Sequence, residues 1–183
     1  DLTDDVQCQQ LVEQLPALDG IVHCAGVGLR VPCKNIEQSD IDYVMQPNFM
    51  APVLLQAALL SAKKINKEAS IVFIASRAAE MPSVGNAVYS ASKGAIISYA
   101  KCLALELAPR KIRVNCICPA MVWTDLALTG ASREQLEEAE QRYPLKRYGQ
   151  PEDVAYLAVY MLSDVSSWMT GSCVDITGGG EGI

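Results

Sequence analysis

A serine, a tyrosine and a lysine are spaced in this sequence so that their side chains can act together on one proton. Ser76 follows the apolar segment Ile71–Ile74, which is typical of a buried strand. Tyr89 and Lys93 lie four residues apart in a segment that predicts a helix, so the two side chains share one helical face. A phenol beside an ammonium group, with a hydroxyl near both, is suited to proton transfer.

The predicted chemistry depends on the pKa of the phenol. An unperturbed tyrosine titrates near pH ~10, and we expect the Lys93 ammonium to lower the pKa of Tyr89 by favouring the phenolate. Ser76 would then hold a substrate oxygen by a hydrogen bond while Tyr89 gives or takes its proton. Side chains cannot move the hydride that accompanies this proton, so the pattern predicts a nicotinamide cofactor.

Strands and helices alternate along the rest of the chain, which predicts an α/β fold with a parallel sheet and helices on both faces. Apolar segments predict strands at 21–26, 71–75, 112–118 and 173–176. Helical patterns cover 6–15, 40–62, 87–108, the stretch from 151 onward, and part of the polar segment 124–143. Ligands bind beyond the carboxyl ends of such strands, where Gly26, Ser76 and Pro119 fall.

Asn48 lies in a helical pattern that two prolines interrupt, Pro47 and Pro52. Proline within a helix removes a hydrogen bond and kinks the helix, so a backbone carbonyl near Asn48 is expected to be free. Asn48 therefore either takes part in the site or caps the broken helix.

The composition excludes several classes of function. The length of 183 residues fits one domain, 1–183, and a net charge of −6 without a basic cluster argues against nucleic-acid binding. No apolar run has membrane-spanning length, so no membrane partner is expected. Seven scattered cysteines without a Cys-x-x-Cys pair, with a single histidine, predict reduced thiols in a cytoplasmic protein and no metal site.

These residues together resemble the short-chain dehydrogenase/reductase family, from Asp1 to about Gly179. The resemblance rests on Tyr89-x-x-x-Lys93 followed by small residues, on Ser76 thirteen positions before the tyrosine, and on Asn48 in the preceding kinked helix. It implies a Rossmann-type, doubly wound parallel sheet.

The resemblance also implies roles for these four residues. Tyr89 would be the general acid/base, Lys93 would lower its pKa and bind the nicotinamide ribose, and Ser76 would orient the carbonyl. Asn48 would hold a water molecule that links Lys93 to solvent. The nearest general resemblance is to 3-oxoacyl-acyl-carrier-protein reductases, which implies a carbonyl or alcohol substrate, including an acyl-carrier-protein thioester. Sugar, polyol and steroid substrates remain open.

The family pattern further implies contacts with NADP or NAD, a choice that the sequence leaves open. These would come from the pair Asp1-Leu2 on adenine, the loop Cys24-Ala25-Gly26 beside the adenine ribose, the segment that starts at Pro119 with the Val122 backbone on the carboxamide, and Thr124 near the phosphates. Thr124 as the N-cap of the following segment is the alternative. The resemblance implies a homodimer or homotetramer, which the stripe of small residues Ala91, Ala95, Ser98 and Cys102 also favours.

The family begins with a strand, a glycine-rich phosphate-binding loop, a helix and a second strand, and these have no counterpart in the 183 residues. Asp1 corresponds to a position near the end of the third strand. We therefore expect the chain to be part of a longer reductase, and we expect a protein that starts at Asp1 to bind the cofactor weakly. The alternative is a catalytically incompetent family member that acts as a scaffold or regulatory subunit.

Overall fold

The computed structural model describes residues 1–129 and 131–180, and its centre is a parallel sheet. The strands are β1 (Leu18–His23), β2 (Ile65–Ile74), β3 (Arg113–Pro119) and β4 (Cys173–Ile176). The helices are α1 (Asp5–Gln14), α2 (Gln38–Met45), α3 (Ala51–Ser61), α4 (Ala87–Leu107), α5 (Arg133–Glu140) and α6 (Pro151–Leu162). None of these helices is both long and apolar enough to cross a membrane.

The four strands lie in the order β1-β2-β3-β4, and every neighbouring pair is parallel. Ile71 of β2 pairs with Ile21 of β1 on one side and with Val114 of β3 on the other. Parallel pairing places all four carboxyl ends at the same edge of the sheet, and the predicted α/β architecture is confirmed.

Helices cover both faces of the sheet because successive residues of each strand point to opposite sides. Phe73 of β2 faces a core formed with α1, α3 and α4, whereas the adjacent Val72 faces a second core formed with α6. The strand order does not reverse between β2 and β4, yet α4 and α6 lie on opposite faces. The crossover through α6 therefore has the opposite hand to the crossover through α4.

A buried arginine fixes the end of α6 against the sheet. The Arg113 guanidinium donates to the Met161 carbonyl at 2.8 Å, to the Ser163 carbonyl at 3.0 Å and to the Ser166 hydroxyl at 2.8 Å. These bonds satisfy carbonyls that a helix end leaves unpaired. Asn115, in the same strand, donates to the Met169 carbonyl and accepts from the Ser172 amide, so its role is to hold neighbouring backbone.

Three segments differ from the prediction. The strand β2 begins at Ile65, six residues before the predicted start at Ile71. The strand β1 begins at Leu18, three residues earlier than expected, and most of it is exposed or half-buried rather than buried. The polar segment 124–143 is helical only in a short turn at Ala127–Thr129 and in α5, and Gly130 within it lies outside the described residues. The hydroxyl of Ser132 caps α5, so Thr124 is not the N-cap of that helix.

Candidate active site

Ser76 lies directly beyond the carboxyl end of β2, as predicted. Its extended backbone leads into a single helical turn at Arg77–Ala79, and its Oγ accepts a hydrogen bond from the Ala78 amide at 3.1 Å. Its hydroxyl is also close enough to the phenol to lower the pKa of Tyr89. Ser76 therefore caps a turn and lies near the group that would carry the proton.

Tyr89 lies in the first turn of α4, which begins at Ala87. Burial raises the pKa of Tyr89 because it disfavours the charged phenolate, and the nearby Ser76 hydroxyl opposes this effect only in part. The prediction that Lys93 lowers the pKa of Tyr89 is therefore wrong for this structure. Desolvation decides the direction of the pKa shift. Tyr89 is therefore a neutral phenol near pH 7 and can donate a proton.

Lys93 reaches the same place from the next turn of α4 and is only 5% exposed. Its Nζ donates to the Ile74 carbonyl at 2.9 Å and lies 5.7 Å from the centroid of the Tyr89 ring. Burial lowers the pKa of Lys93 to about 8, since a protein interior disfavours the ammonium, and nearby thiols, Cys24 first, oppose the shift. An ammonium next to a phenol is thus held in place by backbone at the end of β2.

Asn48 occupies a π-helical turn, Gln46–Met50, that joins α2 to α3. A wide turn is the local response to Pro47, which cannot donate a backbone hydrogen bond. The Asn48 amide does not cap this turn. It spans to the loop after β1, where its Oδ1 accepts from the Val27 amide at 2.7 Å and its Nδ2 donates to the Val27 carbonyl at 2.9 Å.

Gly26 brings the loop after β1 against both of these groups. A Cβ atom at this position would lie 3.0 Å from Asn48 Oδ1 and 3.5 Å from Lys93 Nζ. The preceding residues Cys24 and Ala25 are exposed at the same edge of the sheet. A loop without side-chain bulk beside a buried ammonium fits the sugar hydroxyls of a nucleotide, so these residues fit the nicotinamide cofactor that the family pattern implies.

Replacement of Gly26 by alanine is expected to weaken binding of NADPH about tenfold and to lower the free energy of unfolding by about 1 kcal/mol, because the new methyl group crowds Asn48. Fluorescence titration with NADPH and urea denaturation measure the two effects. Gly94→Ala is the matched control, since a Cβ there meets no atom within 4 Å, and it should stabilise α4 without loss of affinity. Equal affinity in the two variants would contradict the prediction.

The other residues predicted to bind cofactor are more widely distributed. Pro119 is the buried last residue of β3, and Val122 forms an isolated parallel bridge with Gly149. Thr124 is exposed, and its hydroxyl donates to the Val122 carbonyl at 3.4 Å.

Leu2 packs against the core at the start of the described chain, and Asp1 accepts hydrogen bonds from Thr3. The structure thus brings Gly26, Asn48, Ser76, Tyr89 and Lys93 together, whereas Asp1 and Leu2 lie by α1.

Sequence analysis missed one residue that supports this site and did not predict the core position of another. Ser92 is fully buried, and its hydroxyl links Asn48 to α4. Its position three residues after Tyr89 is the signal that could have identified it. His23, which ends β1, stacks on Phe73 with ring centroids 4.6 Å apart and hydrogen-bonds Gln56 at 2.9 Å, so it packs in the core rather than facing a ligand.

No group of three or more His, Cys, Asp or Glu side chains within residues 1–129 and 131–180 is arranged to hold a metal ion.

Comparison with known proteins gives a match over nearly the whole chain. Residues 1–181 match the family model described as enoyl-(acyl carrier protein) reductase. The chain is 31% identical over 178 residues to the 3-oxoacyl-[acyl-carrier-protein] reductase FabG of Rickettsia felis, which covers 97% of this chain and 73% of that protein. It is also 32% identical over 179 residues to an L-xylulose reductase of Caenorhabditis elegans, covering 96% of this chain and 70% of that protein.

Solved structures resemble the fold equally well. A short chain dehydrogenase family protein from Francisella tularensis superimposes with a TM-score of 0.88 at 32% identity, covering 98% of this chain and 78% of that one. A blue fluorescent protein from a metagenomic library, in complex with NADPH, gives a TM-score of 0.86 at 28% identity, covering 98% and 73%.

Proposed function

Because the chain belongs to the short-chain dehydrogenase/reductase family of NAD(P)-dependent oxidoreductases, we propose that it interconverts a carbonyl and an alcohol, with Tyr89 transferring the hydroxyl proton. The convergence of Ser76, Tyr89 and Lys93 beyond the carboxyl end of β2 supports this proposal most strongly. These residues supply a donor for the substrate oxygen, an acid for its proton and a cation beside that acid.

In the reducing direction Tyr89 donates its phenolic proton to the carbonyl oxygen, and Ser76 holds the same oxygen by a hydrogen bond. The nicotinamide cofactor, when bound, supplies the hydride to the carbonyl carbon. Tyr89 is left as a phenolate, which the Lys93 ammonium stabilises because opposite charges attract strongly in a buried site. In the oxidising direction the same groups accept the proton.

We propose that Lys93, Tyr89 and the loop Cys24–Gly26 contact the ribose groups of the cofactor. Further proposed contacts are Asp1 and Leu2 to the adenine, Pro119 and Val122 to the carboxamide, and Thr124 to the phosphates. NADP(H) is favoured over NAD(H) because a structural neighbour was determined in complex with NADPH.

Two substrate classes follow from relatives of nearly equal identity. A 3-oxoacyl thioester on acyl carrier protein is the first, from the FabG relatives, and a ketose is the second, from the L-xylulose reductase. Consumption of NADPH and NADH with acetoacetyl thioester and with L-xylulose would separate them. A folded protein that neither binds a nicotinamide cofactor nor reduces any carbonyl would refute the proposed function.

We also propose that α4 forms the contact of a homodimer or homotetramer. Ala91, Ser98 and Cys102 are exposed along one side of this helix, and their small side chains allow a second helix to approach closely. Sedimentation velocity is expected to show a dimer or tetramer for the protein and a monomer for Ser98→Glu, because a pair of carboxylates would be buried at the contact. A Ser98→Glu protein that keeps the assembly would exclude this face.

A further inference from the structure

Ser92 connects two parts of the candidate site that are far apart in sequence. It lies on α4 between Tyr89 and Lys93, and its side chain is completely buried. The Ser92 hydroxyl donates to the Tyr89 carbonyl at 2.7 Å and accepts from Asn48 Nδ2 at 3.1 Å. The first bond is local to the helix, whereas the second spans 44 positions of sequence.

The directions of these bonds follow from the chemistry of the groups. The Val27 amide can only donate, so the oxygen of the Asn48 side chain must face it at 2.7 Å. The Asn48 nitrogen is then turned toward the Val27 carbonyl and Ser92. Because the Tyr89 carbonyl can only accept, the Ser92 proton points there and leaves a lone pair for Asn48.

The Asn48 amide is therefore held from both sides. Val27 binds it through two backbone atoms, and Ser92 provides the remaining contact from the helix that carries Tyr89. Gly26, next to Val27, lies against Asn48 Oδ1 and Lys93 Nζ. A rotation of the Asn48 amide would consequently move the wall of the site beside the Lys93 ammonium.

We propose that Ser92 is a positioning residue, which fixes the Asn48 amide and thereby holds the loop Gly26–Val27 against Lys93. Ser92 does not contact the reacting groups through its own side chain. In the absence of the Ser92 hydroxyl, Asn48 Nδ2 keeps only the Val27 carbonyl as acceptor. This buried amide group then loses one of its two hydrogen bonds. This role rests on the proposed reductase function and specifies which residue aligns that site.

Amide hydrogen exchange tests the link without cofactor or substrate. In Ser92→Ala the Val27 amide is expected to exchange about tenfold faster than in the unmodified protein, because its acceptor Asn48 is no longer fixed. Ser90→Ala is the matched control on the same helix, since the buried Ser90 hydroxyl has no hydrogen-bond partner among the described residues. Equal exchange at Val27 in the two variants would overturn the proposal. Should Ser92→Ala not fold, Ser92→Cys places a weaker hydrogen-bonding group at the same position and gives the same comparison.

Steady-state kinetics tests whether the link matters for turnover. Ser92→Ala is expected to lower kcat about tenfold, whereas the KM for the carbonyl stays within about twofold of the unmodified value. In a protein that already carries Asn48→Ala, the same substitution is expected to lower kcat by less than about twofold further. Fully additive effects would contradict action through Asn48. An unmodified protein without turnover refutes the proposed function, whereas an active protein in which Ser92→Ala matches Ser90→Ala refutes the role of Ser92 alone.

Discussion

Replacement of Tyr89 by phenylalanine is expected to lower kcat for carbonyl reduction by about a thousandfold, the range that a positioned general acid contributes. The substitution removes only the phenolic hydroxyl near Ser76 and retains the ring beside Lys93. The substrate oxygen would then have to take its proton from water. Rates of NADPH consumption at saturating carbonyl measure the loss, and fluorescence titration shows whether the cofactor still binds.

Tyr99→Phe provides the control for this experiment. Tyr99 lies on the same helix, but its ring packs edge-on against Phe73 in the core, with centroids 5.8 Å apart. We expect its kcat to stay within about twofold of the unmodified value, since surface and core hydroxyls outside the site do not act on substrate. A Tyr89→Phe protein that binds NADPH and retains more than about a tenth of the turnover would refute Tyr89 as the proton donor.

Burial acts in opposite directions on the two titrating groups of the site. Tyr89 is charged when deprotonated, so desolvation raises its pKa, whereas Lys93 is charged when protonated, so desolvation lowers its pKa to about 8. Both shifts favour the neutral forms. The neutral phenol is the form that reduction requires, and the Lys93 ammonium is required once the phenol has lost its proton. The site therefore combines a proton donor with a cation that the protein holds at a cost in stability.

Local patterns were sufficient to predict much of this arrangement. Tyr89 and Lys93 share a helical face because their spacing is close to one turn, and Ser76 follows an apolar run that could only be a strand in an alternating α/β chain. The bounds of α4 and β3 and the end of β2 follow from the same periodicities within one residue, whereas β2 begins six residues before the predicted start. These features depend on neighbours in sequence.

The features that sequence analysis did not predict depend on contacts between distant residues. The two hydrogen bonds between Asn48 and Val27 join segments 21 positions apart. The predicted direction of the Tyr89 pKa shift was wrong because burial of the hydroxyl dominates it. The number of protein atoms packed around that hydroxyl is a property of the whole fold. Spacing places a cation near the phenol but does not give the desolvation that opposes it.

Replacement of Lys93 by methionine is expected to abolish most turnover and at the same time stabilise the fold. The ammonium is 5% exposed, and lowering its pKa from 10.5 to about 8 corresponds to about 3 kcal/mol of unfavourable free energy in the folded state. Methionine removes this charge with little change in volume. The Ile74 carbonyl loses its donor at 2.9 Å, which offsets about 1 kcal/mol. We therefore expect the free energy of unfolding at pH 7 to rise by about 2 kcal/mol and kcat to fall by at least about 10²-fold.

The pH dependence of this difference identifies its cause. Below pH 8 Lys93 is protonated in both the folded and the unfolded protein, so the unfavourable burial of charge is fully present. Between pH 8 and the unfolded value of 10.5 only the unfolded protein binds the proton, so the unmodified protein becomes more stable as pH rises and the advantage of Lys93→Met shrinks. Urea denaturation at several pH values measures this trend, with Lys101→Met, an exposed lysine of the same helix, as the control that should stay within about 0.5 kcal/mol throughout. A Lys93→Met protein that is less stable at pH 7 would show that the contacts of the ammonium outweigh its desolvation, and that this lysine holds the fold as well as the site.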